Sequence, residues 1–212
     1  MAEAHPVGFR WVMKAKERGA TIIHVDPRFS RTSAMADIWV PIRAGADIAF
    51  LGGLVRHLIE NELFFRDYVV HYTNASCILS DEYADPEDNG DGYFSGWNEE
   101  KRAYEGKSWL YKGEDLSRPQ RDLTLQDPQC AFQKLKRHFA RYTPEMVEKV
   151  CGIPPELFHK VADALVAASG PERTAAICYA VGLSVLRGRL RSTHLSQGRQ
   201  ADFNRGRPGE SD

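Results

Sequence analysis

Two short segments of the chain carry acidic, basic and hydroxyl side chains directly after apolar runs. The first segment supplies Asp26, Arg28 and Thr32, and the second supplies Ile42, Gly45 and Asp47. Open parallel sheets bind nucleotides beyond the carboxyl ends of their strands. A carboxylate there accepts hydrogen bonds from sugar or base donors, and a guanidinium binds phosphate or stacks on a base. The spacing therefore predicts a site for a nucleotide-bearing cofactor.

Each position suits a different part of such a cofactor. Asp26 can accept from a ribose hydroxyl or a purine amine, and Gly45 lets the backbone approach a base edge. The two oxygens of Asp47 match the paired N–H donors on the Watson–Crick edge of guanine. Taken singly, Asp26 and Asp47 also fit a turn and a helix cap. Their joint spacing favours the cofactor.

The chain offers no catalytic acid, base or nucleophile by pattern. Its seven histidines form no dyad with a nucleophile, and neither a P-loop nor a GxGxxG motif is present. We expect His24, inside an apolar run, to lie at the edge of the core. The four cysteines, Cys77, Cys130, Cys151 and Cys178, are too far apart for a CxxC pair. They are predicted to be buried or half-buried thiols, with no metal site.

Composition limits the classes of partner. The 212 residues are 42% hydrophobic and 27% charged, enough for one sizeable core. A net charge of -1 gives no electrostatic reason to expect a nucleic acid or membrane partner. No apolar run approaches the roughly 18 to 20 residues of a membrane-spanning helix, and no signal peptide is visible. For the chain as given we expect a cytoplasmic location and no membrane insertion.

Hydrophobic periodicity predicts alternating helices and strands in the first third of the chain. Residues 6–18 form a predicted amphipathic helix with a glycine stop, and residues 20–25 a strand covered on both faces. Proline limits a second strand over residues 38–42, and Asp47 is expected to cap a helix over residues 48–61. The repetition favours an α/β fold with a partial layered, Rossmann-like parallel sheet and helices on both of its faces.

The remainder divides into an insertion, helices and a tail. Residues 81–127 are polar but rich in aromatics, so we expect a long ordered insertion whose rings either pack on one another or contact a partner. Helices are predicted within residues 128–169, with Thr143 as an N-cap, followed by a buried strand over residues 174–182. We expect residues 183–212, which lack periodicity, to be disordered.

Several segments resemble the molybdopterin oxidoreductases. Those segments are residues 2–9, 25–32, 36–37 and 41–51. Others resemble the large (alpha) subunit of the membrane-associated, nitrate-respiration type of formate dehydrogenase, namely residues 72–76, 96–102, 108–111 and 141–144. The resemblance extends over residues 2–182, and residues 1–182 form one expected partial α/β domain of this family.

The resemblance implies a bis-molybdopterin guanine dinucleotide enzyme that oxidises formate to carbon dioxide at molybdenum or tungsten. Electrons would leave through a 4Fe–4S cluster to an iron–sulfur beta subunit and a cytochrome b gamma subunit, and the parent family is exported by a twin-arginine signal. By position, Asp26, Arg28 and Thr32 match its first nucleotide-contacting loop. Ile42, Gly45 and Asp47 match its second, guanine-facing loop.

The same resemblance places the cluster cysteines, the metal-bound cysteine or selenocysteine and the catalytic histidine before the position of Met1. We therefore expect an internal fragment of the large subunit that keeps part of the guanine dinucleotide site and is inactive alone. One alternative is an assembly module whose aromatic insertion contacts an iron–sulfur partner subunit. Another is a segment of a different superfamily member, such as a nitrate reductase.

Overall fold

The computed structural model describes residues 1–113, 118–170 and 172–178. These residues form two compact units. The first unit comprises residues 1–80 and 111–177, and the second comprises residues 81–110 together with the residues from 178 onward, of which only Cys178 is described. The predicted disordered tail, residues 183–212, lies outside the described residues.

The described residues contain helices and short strands in alternation. In chain order they are α1 (Pro6–Glu17), β1 (Ile23–Val25), α2 (Arg31–Met35), β2 (Ile38–Val40), α3 (Asp47–Glu60), α4 (Arg66–Tyr72), α5 (Pro86–Asn89), β3 (Trp97–Asn98), β4 (Ala103–Tyr104), α6 (Ala131–Phe139), α7 (Pro144–Cys151) and α8 (Pro155–Ala167). The fold is thus a mixture of helix and sheet, and the larger layered sheet with helices on both faces stays a prediction.

In the first unit β1 and β2 form a parallel pair whose register aligns Ile23 with Ile38 and Val25 with Val40. The first strand is shorter than predicted, and Val25 is exposed, so the expectation that this strand is covered on both faces is wrong. A side chain on a strand is covered only where another layer packs on that face of the sheet, and a neighbouring strand does not cover it. The second strand stops before Pro41, because proline has no N–H to continue the ladder.

The core of the first unit forms where α3 packs against α7 and α8. Two adjacent helix glycines make the close approach possible: a Cβ at Gly52 would lie 2.6 Å from the ring of Tyr142, and one at Gly53 would lie 2.7 Å from Val147. The buried apolar residues of this cluster are Ile38, Val40, Ile42, Ala46, Ala49, Phe50, Leu54, Tyr142, Val147, Cys151, Ile153, Phe158, Val161 and Ala162. The cluster extends from β2 to α8, so the sheet edge and the helices share one core.

Local sequence signals account for several helix ends. The helix α1 stops before Gly19, which has a positive φ of 91°, as predicted. Thr143 caps α7 by accepting a 3.2 Å hydrogen bond from the Met146 N–H, which confirms that prediction. The face of α1 that carries Val7 and Trp11 is exposed, and Phe9, on the opposite side of the helix, is buried instead.

The second unit is organised by aromatic rings. Its strands β3 and β4 form an antiparallel pair in which Trp97 lies opposite Tyr104. Trp97 also stacks on Tyr93 with ring centroids 4.4 Å apart, and Tyr104 lies 5.3 Å from Trp109. Within residues 81–110 the rings thus pack on one another, which is one of the two arrangements that the sequence left open.

Two predictions fail near the end of the described chain. Residues 174–178 form no strand, and Ile177 is 69% exposed, so the predicted buried strand is wrong for its described part. Neither β1 nor β2 pairs with this segment, and a strand without a partner leaves its backbone and side chains to solvent.

Cys77, Cys130 and Cys151 are buried as expected, but Cys178 is exposed. Within the described residues no helix has the length and hydropathy needed to cross a bilayer.

Candidate nucleotide-binding loops

The parallel pairing of β1 and β2 brings two predicted site segments to one edge of the sheet. The first loop, residues 26–30, follows Val25, and the second loop, residues 41–46, follows Val40, which is the register partner of Val25. The Asp26 N–H donates to the Val40 carbonyl at 3.1 Å, and the Trp39 indole N–H donates to the Asp26 carbonyl at 3.1 Å. Both loops therefore begin at the same carboxyl edge, as the sequence predicts.

Asp26 is held in one orientation by its own turn. Its Oδ1 accepts a 2.7 Å hydrogen bond from the Arg28 N–H, so the local turn expected for Asp26-Pro27 is present. Its Oδ2 accepts no hydrogen bond from the described residues and lies 3.8 Å from Nε2 of His24. The turn fixes one oxygen and leaves the other available to a ligand.

Arg28 and Thr32, the other predicted residues of the first segment, differ in availability. The Arg28 side chain is exposed and makes no hydrogen bond or ion pair with the described residues. Thr32 is buried in α2, and its Oγ1 accepts from the Ala2 N–H at 3.0 Å and from the amino group of Met1 at 3.2 Å. A hydroxyl oxygen has two lone pairs, so Thr32 keeps only its O–H to donate.

The second loop presents its backbone rather than all of its side chains. Ile42 is 5% exposed and packs into the core, so only its main chain faces outward. Gly45 is exposed with a positive φ of 84°, a conformation that suits glycine and lets a ligand approach the backbone. The loop is tied to α7 by a 2.9 Å hydrogen bond from the Arg43 N–H to the Cys151 carbonyl.

Asp47 is the first residue of α3 and not its cap. Ala46 occupies the cap position, so the expected capping role of Asp47 is wrong. Among the described residues the Asp47 carboxylate accepts no hydrogen bond and forms no ion pair. The first turn of a helix favours a negative charge, because its unpaired N–H groups carry partial positive charge. The Asp47 carboxylate therefore has lone pairs that none of the described residues uses.

The buried thiol of Cys151 forms a hydrogen bond with the second loop. Its Sγ donates to the Ala46 carbonyl at 3.4 Å. Burial raises the pKa of Cys151 to about 11, and the Asp47 charge adds to this shift while Arg43 opposes it. The thiol therefore stays protonated and able to donate at neutral pH.

The two loops together offer the groups that a nucleotide requires. Asp26 and Asp47 each have an unused carboxylate oxygen, and Arg28 has an unpaired guanidinium. This donor and acceptor set fits a sugar, a purine edge and a phosphate. No group of three or more His, Cys, Asp or Glu side chains in the described part of the chain is arranged to hold a metal ion.

Comparison with known proteins agrees with the resemblance to formate dehydrogenase. The chain is 50% identical over 182 residues to the nitrate-inducible major subunit of formate dehydrogenase from Escherichia coli K12. It is 46% identical over 181 residues to the formate dehydrogenase subunit alpha of Megalodesulfovibrio gigas. The chain belongs to the formate dehydrogenase large-subunit family. Each alignment covers 85% of this chain, and the chain spans about 18% of the length of these relatives. No family model matches.

Other comparisons bear on the fold and on the alternative family member. Acetylene hydratase from Pelobacter acetylenicus matches with a TM-score of 0.50 at 22% identity, over 82% of this chain and 16% of that one, which supports the fold alone. The assimilatory nitrate reductase catalytic subunit of Bacillus subtilis is 38% identical over 74 residues, 35% of this chain and 10% of that protein. Nitrate reductase is thus a distant relative, and the formate dehydrogenase assignment stands.

In this member of the formate dehydrogenase family, the sequence did not predict the contacts that His24 makes behind the first loop. His24 is partly buried at the edge of the core, as expected, but its Nδ1 also lies 2.9 Å from Oγ of Ser33. Ser33 and Ser30 form a reciprocal capping box at the start of α2. The usual sequence signal for the box has Glu or Gln at the N3 position, where this chain has Ser33. No local signal points from that box to His24.

Proposed function

We propose that this chain forms part of the molybdopterin guanine dinucleotide site of a formate dehydrogenase large subunit. The observation that carries the proposal is the unpaired Asp47 carboxylate at the carboxyl edge of the sheet, in a chain 50% identical to such a subunit. Asp26, Arg28, Thr32, Ile42, Gly45 and Asp47 are the proposed contact residues. Ile42 would contribute through its main chain and Thr32 through its O–H.

Asp47 would determine the choice of base. Guanine presents two neighbouring N–H donors on its Watson–Crick edge, and a carboxylate accepts both at once through its two oxygens. Adenine offers no such pair on that edge, so its contact with Asp47 would be weaker. Gly45, two residues earlier with a positive φ, allows the base to approach the loop backbone.

The first loop would hold the sugar and phosphate of the same cofactor. Oδ2 of Asp26 can accept from a ribose hydroxyl, since Oδ1 is already engaged by the Arg28 N–H. The Arg28 guanidinium can bind phosphate oxygens in a bidentate manner. Because Arg28 forms no ion pair with the described residues, phosphate binding would not have to break one.

In the whole protein these residues would position the cofactor while the reaction proceeds elsewhere. When bound, the cofactor supplies molybdenum or tungsten to take up the two electrons released as formate becomes carbon dioxide and a proton. The residues of this chain bind and orient the nucleotide end. The relatives are called alpha and major subunits. We extend the proposal to a 4Fe–4S centre, to iron–sulfur beta and cytochrome b gamma partners and to export by a twin-arginine signal.

A ligand comparison tests the base assignment. We expect GDP to raise the thermal unfolding midpoint of the 212-residue chain more than ADP does at equal concentration. Asp47→Asn should remove most of this difference, because an amide replaces one acceptor with a donor. Asp67→Asn is the matched control, since Asp67 also lies in the first turn of a helix but outside both loops. A larger effect of ADP, or an unchanged preference in Asp47→Asn, would contradict the proposal.

One observation favours a second role as an assembly module. Within the second unit, Tyr104 and Trp109 remain exposed although they pack in the aromatic cluster. An iron–sulfur partner subunit would be the expected binder, since aromatic side chains are enriched in protein interfaces. Co-purification with that subunit, lost when Trp97 and Trp109 are both replaced by alanine, would support this role. Undiminished co-purification with the double variant would exclude it.

A further inference from the structure

The side chain of Ser33, behind the first loop, contacts the ring of His24. Oγ of Ser33 accepts a 2.9 Å hydrogen bond from the Ser30 N–H, and it also lies 2.9 Å from Nδ1 of His24. Ser33 keeps its O–H and a second lone pair, and its O–H can donate to Nδ1 of His24. An imidazole that accepts at Nδ1 carries its proton at Nε2. With the Ser33 O–H as the donor, His24 carries its proton at Nε2.

The surroundings of His24 keep the ring neutral. Burial lowers the pKa of His24 below its ordinary value, against the opposing effect of the Asp26 charge, and the amino terminus adds to the lowering. A neutral ring at pH 7 has one N–H donor, which is at Nε2 when Ser33 donates to Nδ1. His24 then presents a single donor and not a positive charge.

That donor lies beside the unused acceptor of the first loop. Nε2 of His24 is 3.8 Å from Oδ2 of Asp26, and Oδ2 accepts no hydrogen bond from the described residues. A separation of 3.8 Å is too long for a direct hydrogen bond, so the N–H and the carboxylate oxygen do not satisfy each other. Polar groups in such a position are satisfied by water or by a ligand.

We propose that His24 and Asp26 together recognise the vicinal diol of a ribose, with one hydroxyl donating to Oδ2 of Asp26 and its neighbour accepting from Nε2–H of His24. This inference rests on the proposed function and adds a residue to it. The ligand class is a ribonucleotide as opposed to its deoxy forms. His24 would be a specificity residue that contacts the sugar, while Ser33 fixes the ring from behind.

A pair of nucleotides isolates the sugar contact. The affinity of the full chain for GDP and for 2′,3′-dideoxy-GDP would be measured by calorimetry or ligand-observed NMR. Loss of both hydroxyls removes a contact to Asp26 and one to His24. A single hydrogen bond of ordinary strength corresponds to about fivefold in affinity. We expect the wild-type chain to prefer GDP by about 25-fold, the product of two such contacts.

Two His24 variants separate the donor from the ring. In His24→Phe the preference for GDP should fall by about fivefold while the affinity for the dideoxy nucleotide stays the same. In His24→Gln most of the preference should remain, because the Gln amide can place an N–H near the position of Nε2. His71→Phe is the control, since His71 is an exposed histidine of α4, outside both loops. The ratio of two affinities within one variant is independent of how stable that variant is.

The possible outcomes distinguish this inference from the function on which it rests. An unchanged ratio in His24→Phe, with GDP still preferred over ADP, overturns the role of His24 and leaves the guanine site intact. Equal loss of preference in His24→Gln and His24→Phe also overturns it, because the donor would then not be the cause. If the wild-type chain does not bind GDP in preference to ADP, the proposed function fails and the sugar contact fails with it.

Discussion

Arg43 donates a 2.6 Å hydrogen bond from Nη1 to the carbonyl oxygen of Lys149, a residue 106 positions later in the chain. Its backbone N–H donates to the carbonyl of Cys151 at 2.9 Å. Both acceptors lie in the last turn of α7, where carbonyls have no partner within the helix. A cation is also favoured at a helix C-terminus. Arg43 therefore caps α7 and fixes the loop that leads to Asp47.

Gly152, the residue after α7, should be intolerant of substitution because of this contact. It has a positive φ of 72°, and an added Cβ would lie 3.0 Å from Nε of Arg43. We expect Gly152→Ala to lower the free energy of unfolding by about 1 to 2 kcal/mol from backbone strain alone. Displacement of Arg43 should also weaken GDP binding. Chemical denaturation and nucleotide titration measure the two effects.

Substitutions at two other glycines separate the effect of backbone strain from that of the contact with Arg43. Gly19 has a positive φ of 91° with open space around it, and Gly170 has open space without a positive φ. Gly19→Ala should destabilise the chain but leave GDP affinity unchanged. Gly170→Ala should change neither the stability nor the GDP affinity. If Gly152→Ala has no larger effect on GDP affinity than Gly19→Ala, the Arg43 contact does not position the second loop.

Local chemistry accounts for the parts of the fold that the sequence predicts well. Gly19 ends α1 and Thr143 begins α7, and in both cases the deciding contact involves residues within a few positions. The wrong prediction that Asp47 caps α3 concerns a region with contacts distant in sequence. Ala46 occupies the cap position of α3, and its carbonyl accepts from the thiol of Cys151, 105 residues away. Such a contact leaves no trace in the spacing of nearby residues.

The same distinction holds for the candidate site. Parallel pairing at one sheet edge follows from the strand and loop pattern, so the positions of Asp26 and Asp47 were predictable. The engagement of Thr32 by Ala2 and the contact between His24 and Ser33 depend on tertiary packing. The exposure of the apolar face of α1 could not be predicted for a related reason. Periodicity identifies an apolar face but does not show what covers it.

The second prediction concerns Gly53, where two effects of opposite sign compete. Alanine gains about 1 kcal/mol over glycine in a helix interior. A Cβ at Gly53 would, however, lie 2.7 Å from Cγ2 of Val147 and 3.1 Å from the ring of Phe158, both of which are fully buried. Overpacking of a core costs about 1 to 3 kcal/mol, so Gly53→Ala should be destabilising overall. Denaturant unfolding of the variant measures the net change.

Gly8, in the exposed helix α1, provides the control for this prediction. A Cβ there would meet only the end of Met1 at 3.9 Å. Gly8→Ala should therefore raise the free energy of unfolding by up to about 1 kcal/mol. Stabilisation by both substitutions would mean that α3 can move away from α7 without loss.

The third prediction is a pH dependence that arises at Asp122. Its carboxylate accepts from the Thr124 hydroxyl and from the N–H groups of Thr124, Gln126 and Asp127, at 2.6 to 2.8 Å. These bonds, with the Thr124 hydroxyl first, lower the pKa of Asp122 from 3.8 to about 2. A depressed folded-state pKa adds stability above the unfolded value that is lost as the pH falls toward the folded one. The contribution should be complete above pH 4 and disappear toward pH 2.

Asp122→Asn should lower the thermal midpoint at pH 6, because an amide turns one acceptor oxygen into a donor that faces two N–H groups. The difference between wild type and variant should narrow between pH 4 and pH 2, as the wild-type carboxylate becomes protonated. Asp67→Asn, at an exposed aspartate of α4, controls for the general effect of acid. A constant difference across this range would contradict the role assigned to the Asp122 turn.

The last prediction concerns the four thiols. Cys77, Cys130 and Cys151 are buried, and burial raises the pKa of Cys130 and raises that of Cys151 to about 11. Because the thiolate is the reactive form, iodoacetamide at pH 8 should modify exposed Cys178 and spare the other three. Peptide mass spectrometry gives the site of modification. Denaturant should make all four react, since unfolding exposes the three buried thiols. Native-state modification of Cys151 as fast as that of Cys178 would mean that the second loop opens away from α7.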